Sequence, residues 1–250
     1  MGEVNLVLYM TLNSRFAQFR EANFSFVDRW VFQDKKEILD VEPNSVRAVR
    51  VARDLDRLNQ WFLYPELVKR LSKKIDFTSE KGKSLRIIDV CTGYGGLSRY
   101  LIGWAEKKGL SLEILGVDSS SAIIREAQSH SNIPFTVADA SRLPFKNGEF
   151  DIALNVYALH HCDAQTVIDM LVESARIAEA FLFYDLRRTV YGFIAAQLDR
   201  LLFSDDFVHD AVASHRRAYS IKEMQFLVKE AGVNAAVTRF NHGVIIESQP

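Results

Sequence analysis

From Leu85 to Asp185 the chain alternates short apolar runs with helical stretches, and this alternation restricts its fold more than any other feature. Arg86–Val90, Glu113–Asp118, Pro134–Ala138, Phe150–Val156 and Ala180–Asp185 read as strands, with helical stretches near 95–108, 120–130 and 164–179 between them. Parallel strands of one sheet need a long crossover, which a helix supplies. The spacing therefore predicts a doubly wound, mostly parallel α/β sheet with helices on both faces.

The chain ends differently. Ser220-Ile221-Lys222-Glu223 is a capping box that opens a helix, and Gly232 stops it. The runs Ala235–Phe240 and Gly243–Glu247, joined by Asn241-His242, predict a terminal antiparallel hairpin, which brings the sheet to seven strands. On the N-terminal side, residues 1–43 are rich in aromatics (Phe16, Phe19, Phe24, Phe26, Trp30, Phe32) without clean periodicity. A helix is expected over Ser45–Phe62, capped by Asn44 or Ser45, with Val46, Val49, Ala52, Leu55, Leu58 and Phe62 on one apolar face. Tyr64-Pro65 breaks it, and Pro65 can start a second helix through Ser72. The polar stretch 79–84 reads as a linker. The expected organisation is a helical N-terminal cap or arm over 1–78, then an α/β domain over 79–250 with a lid-like insertion at 189–219.

With 250 residues, 48% of them hydrophobic and 25% charged, the chain can bury a sizeable core. The net charge of −1 gives no footprint for nucleic acid. The two cysteines, Cys91 and Cys162, provide no disulfide framework, and the absence of a CxxC pair argues against a structural zinc; no metal site is expected. Val4–Leu12 is too short to span a bilayer and follows no basic segment, so a cytoplasmic protein is expected.

The first strand runs into Asp89-Val-Cys-Thr-Gly-Tyr-Gly-Gly96. Glycines after a strand let the backbone turn sharply and approach a ligand, and the next helix aims its free N–H groups at the same spot. A dinucleotide fingerprint needs a third glycine where Ser98 stands, and no lysine of a phosphate-binding P-loop is present. Three acids instead follow the strands: Asp89 before the glycines, Asp118 ending the second strand, and Asp139 after the third. An acid at the end of strand two can accept both hydroxyls of a ribose, and one after strand three can accept from an adenine amino group. The set describes a nucleoside site without a pyrophosphate clamp.

In the segments RIIDVCTGYGG, LEILGVDSSSAIIREAQ, PFTVADASRLPFKNGEFDIALNVYALHH and YDLRR the chain resembles the class I S-adenosylmethionine-dependent methyltransferases. The likeness is to the small-molecule branch that includes ubiquinone and menaquinone C-methyltransferases, over about residues 85–250. The resemblance implies a glycine loop (Cys91, Thr92, Gly93, Gly95) that cradles the methionine part of the cofactor. It further implies Asp118 with Ser119 at the ribose, Asp139-Ala140 at the adenine, and Asn155 lining the pocket. Two departures stand out. Cys91 occupies the place of the first glycine, and Glu179-Ala180 replaces a Gly-Gly turn before strand five.

The implied reaction moves a methyl group from S-adenosylmethionine to an O or C atom of a small, aromatic, polyketide- or quinone-like molecule. Candidate bases are His160, His161, His209 and His215, each with a plain structural alternative. Tyr157, Asp185, Arg187, Arg188, Asp210 and Tyr219 are further candidates near the acceptor. Arg47, Arg50, Arg53 and Arg57 form a basic stripe on the N-terminal helix, with Asp54 and Asp56 as expected local partners. Arg57 and Asn59 are candidates for the cofactor carboxylate. The aromatic arm is expected either to fold over its own active site or to join a homodimer. Two competing readings remain: a protein of the same fold that binds the cofactor without methylating, and an NAD-dependent oxidoreductase.

Overall fold

The computed structural model describes residues 2–24, 28, 31–32, 36–42, 45–74, 84–198 and 204–249. In chain order the helices are α1 (Gly2–Asn23), α2 (Ile38–Val41), α3 (Val46–Phe62), α4 (Tyr64–Lys74), α5 (Gly96–Lys108), α6 (Ser121–Ser129), α7 (Ala164–Ile177), α8 (Val190–Leu198), α9 (Asp205–Arg217) and α10 (Ile221–Ala231). The strands are β1 (Leu85–Val90), β2 (Leu112–Asp118), β3 (Phe135–Val137), β4 (Phe150–Val156), β5 (Ala178–Leu186), β6 (Ala235–Phe240) and β7 (Gly243–Ser248).

One sheet carries all seven strands in the order β3-β2-β1-β4-β5-β7-β6. The pairs among β1 to β5 are parallel, and β7 runs antiparallel between β5 and β6. The strand order reverses between β1 and β4, where Val90 pairs with Asn155, so a ligand crevice is expected beyond these two strand ends. One face of the sheet packs Ile88, Phe150 and Phe183 against Leu171 of α7 and Met224 of α10. The other packs Ile87, Ile152 and Leu182 against Leu67 of α4 and Leu97 and Leu101 of α5. Burial on both faces accounts for strands read as continuous apolar runs.

The helix ends follow local chemistry. Ser45 caps α3 by accepting from Ala48 N–H at 3.1 Å, whereas the alternative cap, Asn44, lies outside the described residues. The Ser220–Glu223 capping box opens α10, and Gly232 closes it with a left-handed φ of 66°. Helix α7 stops at Ile177, two residues earlier than the sequence suggests, because Ala178 is already extended. The chain enters β5 directly, so Glu179 and Ala180 are strand residues and no Gly-Gly turn is required.

One expectation is corrected. The face of α3 turned inward carries Ala48, Val51, Asp56 and Asn59, while Val46 and Phe62 of the expected apolar stripe are 76% and 71% exposed. The reason is a charged contact made by Asp56, described below. The aromatic segment contains a 22-residue helix, α1, despite its lack of periodicity. Tertiary contacts hold it: Phe16 packs on Tyr219 and Phe226, Phe19 stacks on Phe226, and Arg20 pairs with Glu223 at 2.6 Å. The linker residues 79–83 and residues 199–203 of the insertion lie outside the described residues, as does the side chain of Leu198. In the described insertion Phe193 is buried and Ile194 is 49% exposed. No helix among the described residues is long and apolar enough to cross a membrane.

Candidate active site

After β1 the backbone turns through three left-handed residues, Cys91 (φ 55°), Gly93 (φ 55°) and Gly95 (φ 75°), before α5 begins at Gly96. Cys91 thus keeps a glycine-type conformation in a position where the resembling family has glycine. A hydrogen bond from Thr92 N–H to Val117 O (2.8 Å) pins the turn to β2. A Cβ on Gly93 would meet nothing within 4 Å, whereas one on Gly95 would strike the Phe135 ring at 2.7 Å. The open side of Gly93 faces a cavity of about 270 Å³ beyond the ends of β1, β2 and β4.

Asp89 and Asp118 meet at this cavity. Asp89 is buried, and its Oδ2 accepts from Ser98 Oγ (2.6 Å) and Thr92 Oγ1 (2.7 Å). Burial pushes its carboxyl up to about 6 against the pull of those two hydroxyls. Asp118 accepts Gly93 N–H at Oδ2 (3.0 Å) and Ser120 N–H at Oδ1 (2.9 Å), which fixes its carboxylate at the cavity wall. Burial raises this carboxyl too. Ser119, Ser120 and Ile123 continue the wall beside it, and Thr92 and Cys91 complete the glycine side. Burial lifts the Cys91 thiol well above its usual range, which disfavours the thiolate a nucleophile needs. These residues fit the adenosine and methionine of the sulfonium cofactor: a bare glycine backbone, a fixed carboxylate for hydroxyls, and no cationic clamp for phosphate.

The third acid does not join them. Asp139 is exposed, its Oδ1 occupied by Ser141 N–H (2.9 Å) and Ser141 Oγ (2.7 Å). Neither it nor Ala140, which packs on the core, lines the cavity. Asn155 also stays behind the wall. It is fully buried, its Nδ2 donates to Val90 O (2.8 Å), and its Oδ1 has no partner. Its place is the seam between β4 and β1.

Helix α3 closes the cavity from outside. Asp56 points into the N-terminus of α5, where its Oδ2 accepts from Arg99 (2.7 Å) and its Oδ1 from Tyr64 OH (3.0 Å). A Cβ on Gly96 would fall 1.2 Å from Asp56 Oδ1, so the glycine is what admits this carboxylate. An acid at a helix N-terminus is favoured electrostatically. Asp56, Asn59 and Tyr64 all line the cavity. The sequence reading gave Asp56 only a local role beside the arginine stripe, and the contact partner, Arg99, is distant in sequence. The stripe itself reaches other elements: Arg47 pairs with Asp206 (2.7 Å) and Arg53 with Glu126 (2.5 Å). Arg57 lies 3.8 Å from Asp54, is 72% exposed at its side chain, and does not line the cavity.

At the opposite end the cavity is bounded by Asp40, Val156, Tyr157, Ala158, His161 and Cys162. Tyr157 holds a left-handed φ of 60°, a strained conformation for an aromatic residue, directly after β4. Of the four candidate histidines only His161 lines the cavity. Its Nδ1 lies 2.8 Å from Asp40 Oδ1. His160 is buried beside it, its Nδ1 2.6 Å from Asp185 Oδ1. His209 contacts Asp210 on α9, and His215 contacts Ala211 O, both away from the cavity. Burial lowers His215, which favours its neutral form. Arg188 forms a buried ion pair with Glu223, and Tyr219 OH donates to Cys162 O (2.7 Å); both hold the fold. Arg187, half-buried, is likewise off the cavity.

Glu37 was not anticipated. It is 2% exposed and faces both histidine rings, with its carboxyl raised to about 7, chiefly by burial. The aromatic segment that carries it gives no periodic signal to mark it out.

Comparison with known proteins agrees with this geometry. Residues 87–180 match the family model described as a methyltransferase domain. The chain is 29% identical over 127 residues to the 2-phytyl-1,4-naphtoquinone methyltransferase of a Nostoc species, covering 47% of this chain and 54% of that one. It is 30% identical over 105 residues to a probable chloroplastic tocopherol O-methyltransferase of Oryza sativa subsp. japonica, covering 41% and 28%. The chain therefore spans about half, or less, of the length of these relatives. Among solved structures, a SAM-dependent methyltransferase from Aquifex aeolicus superposes with a TM-score of 0.56 at 14% identity, over 80% of this chain and 96% of the other. Residues 87–180 thus match a methyltransferase domain, and the fold, with the glycine bend and Asp118 at the crevice, is similar to that of a SAM-dependent methyltransferase.

Proposed function

We propose that the protein transfers a methyl group from S-adenosylmethionine to an O or C atom of a small aromatic, polyketide- or quinone-like molecule. The observation that carries this reading is the Asp118 carboxylate, held by Gly93 and Ser120 N–H groups on the wall of a cavity at the strand-order reversal. When bound, the cofactor supplies a methyl group already activated by a positively charged sulfur. The chain's own contribution is position. Asp118 accepts the ribose hydroxyls, the bare backbone at Gly93 gives the ligand close approach, and Asn59 offers a buried amide from the cap. Alignment of this kind is worth about 7–11 kcal/mol in favourable cases.

The acceptor fits the other end. Tyr157, Ala158, Val156 and Cys162 offer apolar walls suited to a flat ring, and His161 with Asp40 offers polar atoms to a ring hydroxyl. The relatives above are named as a 2-phytyl-1,4-naphtoquinone methyltransferase and a probable tocopherol O-methyltransferase, after ring systems of this class. His161 is thus the retained choice among the four histidines for handling an acceptor proton. The residues named above all come from this chain. Helix α1 spends its aromatic face on its own α10, which favours an arm that braces the domain over one that joins two copies.

Incubation with S-adenosylmethionine carrying a tritiated methyl group, against a panel of hydroquinones, chromanols and polyketide phenols, tests the proposal. Label should enter the organic fraction with at least one ring class. Cofactor binding without transfer to any member would refute it in favour of a non-methylating protein.

A further inference from the structure

Three side chains from two distant segments meet beside the acceptor end of the cavity. His160 Nε2 lies 3.6 Å from Glu37 Oε1, and His161 Nε2 lies 3.7 Å from Glu37 Oε2. The three ligand-capable atoms fall within 4.8 Å of one another, and Glu37 Oε1 is buried without a hydrogen-bond partner. Both rings are oriented from behind by a carboxylate at Nδ1: Asp185 for His160 (2.6 Å) and Asp40 for His161 (2.8 Å). An Nδ1–H donated to a carboxylate leaves Nε2 as a bare lone pair. Two such lone pairs and a carboxylate then face one another where water has little access, an arrangement that is repulsive without a cation among them.

The charge around them has the same sense. Asp210, whose Oδ2 also has no partner, joins Glu37, Asp40 and Asp185 near the cluster. The guanidinium of Arg217, which pairs with Asp40 and stands 3.9 Å from Glu37 Oε1, offsets only part of that charge. A carboxylate behind each metal-binding histidine is the usual way such rings are oriented and made more basic.

We propose that Glu37, His160 and His161 bind one divalent first-row transition ion. Two imidazole nitrogens and one carboxylate suit Zn²⁺, Fe²⁺, Mn²⁺ or Co²⁺ better than Mg²⁺ or Ca²⁺, which prefer oxygen alone. Three protein ligands leave room for an exchangeable one. His161 lines the cavity, so that position is the side from which an acceptor hydroxyl would be polarised and its pKa lowered. This role, though not the binding itself, rests on the methyl-transfer reading.

The test is to strip the full chain with chelator and titrate it with Zn²⁺ by calorimetry and with Co²⁺ by visible absorption. One equivalent of Zn²⁺ should bind, Co²⁺ should give d–d bands, and a large excess of Mg²⁺ should displace neither. Glu37→Gln and His161→Ala should lose this binding. Asp40→Asn, behind a ligand, should weaken it by about 10–100-fold. His209→Ala, outside the cluster, should bind like the wild type. A wild-type chain that takes up no Zn²⁺, or ligand variants that bind it as tightly as wild type, would overturn the inference. Should the ligand variants fail to fold, the wild-type Co²⁺ spectrum decides, and absent d–d bands would overturn it. Cofactor affinity is measured on the same stripped protein. Retained cofactor binding without metal uptake sinks this inference alone, and metal uptake without cofactor binding sinks the methyl-transfer reading alone.

Discussion

Gly96→Ala tests how the N-terminal cap is seated, because its effect should depend on a residue of another helix. The three nearest atoms to a new Cβ all belong to Asp56, at 1.2, 2.2 and 2.8 Å. The carboxylate must retreat by about 2 Å to reach ordinary contact distance, and its bonds to Arg99 (2.7 Å) and Tyr64 (3.0 Å) break. Hydrogen bonds to a charged group are worth about 1.5–3 kcal/mol each, so the loss of two should be about 3–6 kcal/mol. Asp56→Ala removes the same bonds and should cost a similar amount. In the Asp56→Ala background, however, Gly96→Ala meets no clash and gains helix propensity, so it should be neutral or stabilising by up to about 1 kcal/mol. Urea denaturation of the two single variants and the double variant gives the cycle. Costs that add to within about 0.5 kcal/mol would refute the seating of Asp56 against Gly96.

Asp89 should mark stability with pH. Its carboxyl rises from 3.8 to about 6 on folding, so the folded chain holds a proton the unfolded chain releases. Relative to Asp89→Asn, the wild type should lose up to about 3 kcal/mol as pH rises from 4 through 6 and change little above, which denaturation at stepped pH measures. His215, lowered by burial, has the opposite sign: it should contribute stability above pH 6.5 that fades as pH falls, and a neutral, shape-matched substitution should flatten that slope. The Cys162 thiol, pushed up to about 12 chiefly by burial, and the Cys91 thiol, also raised by burial, should resist alkylation at pH 8 in the folded chain and react in denaturant. Glu223→Gln should cost about 3–5 kcal/mol by leaving Arg188 buried without its counter-charge, and should expose α1 to proteolysis by loosening Arg20. Unchanged stability and cleavage would contradict that bracing role.

The sheet was legible because its strands are buried on both sides and its helices fill regular crossovers, patterns set by local spacing. The glycine bend and Asp118 were legible for a related reason, since strand ends in such sheets have a fixed place. Asp139 stands apart from the cavity lining because its loop satisfies the carboxylate locally through Ser141, which no strand register reveals. The burial of α3 was read from apolar spacing alone, yet its inward face is set by Asp56 meeting Arg99, a pairing between distant segments. Glu37 was invisible for the same cause. It owes its meaning to His160 and His161, and nothing in its own neighbourhood signals that meeting.

The most direct measurement is calorimetric titration of the wild-type chain and of Asp118→Ala with S-adenosylhomocysteine, alongside NAD. The wild type should bind one equivalent of the homocysteine nucleoside and no NAD, and Asp118→Ala should lose most of that affinity. Undiminished binding by the variant, or NAD bound in preference, would contradict the ribose assignment on which the site is built.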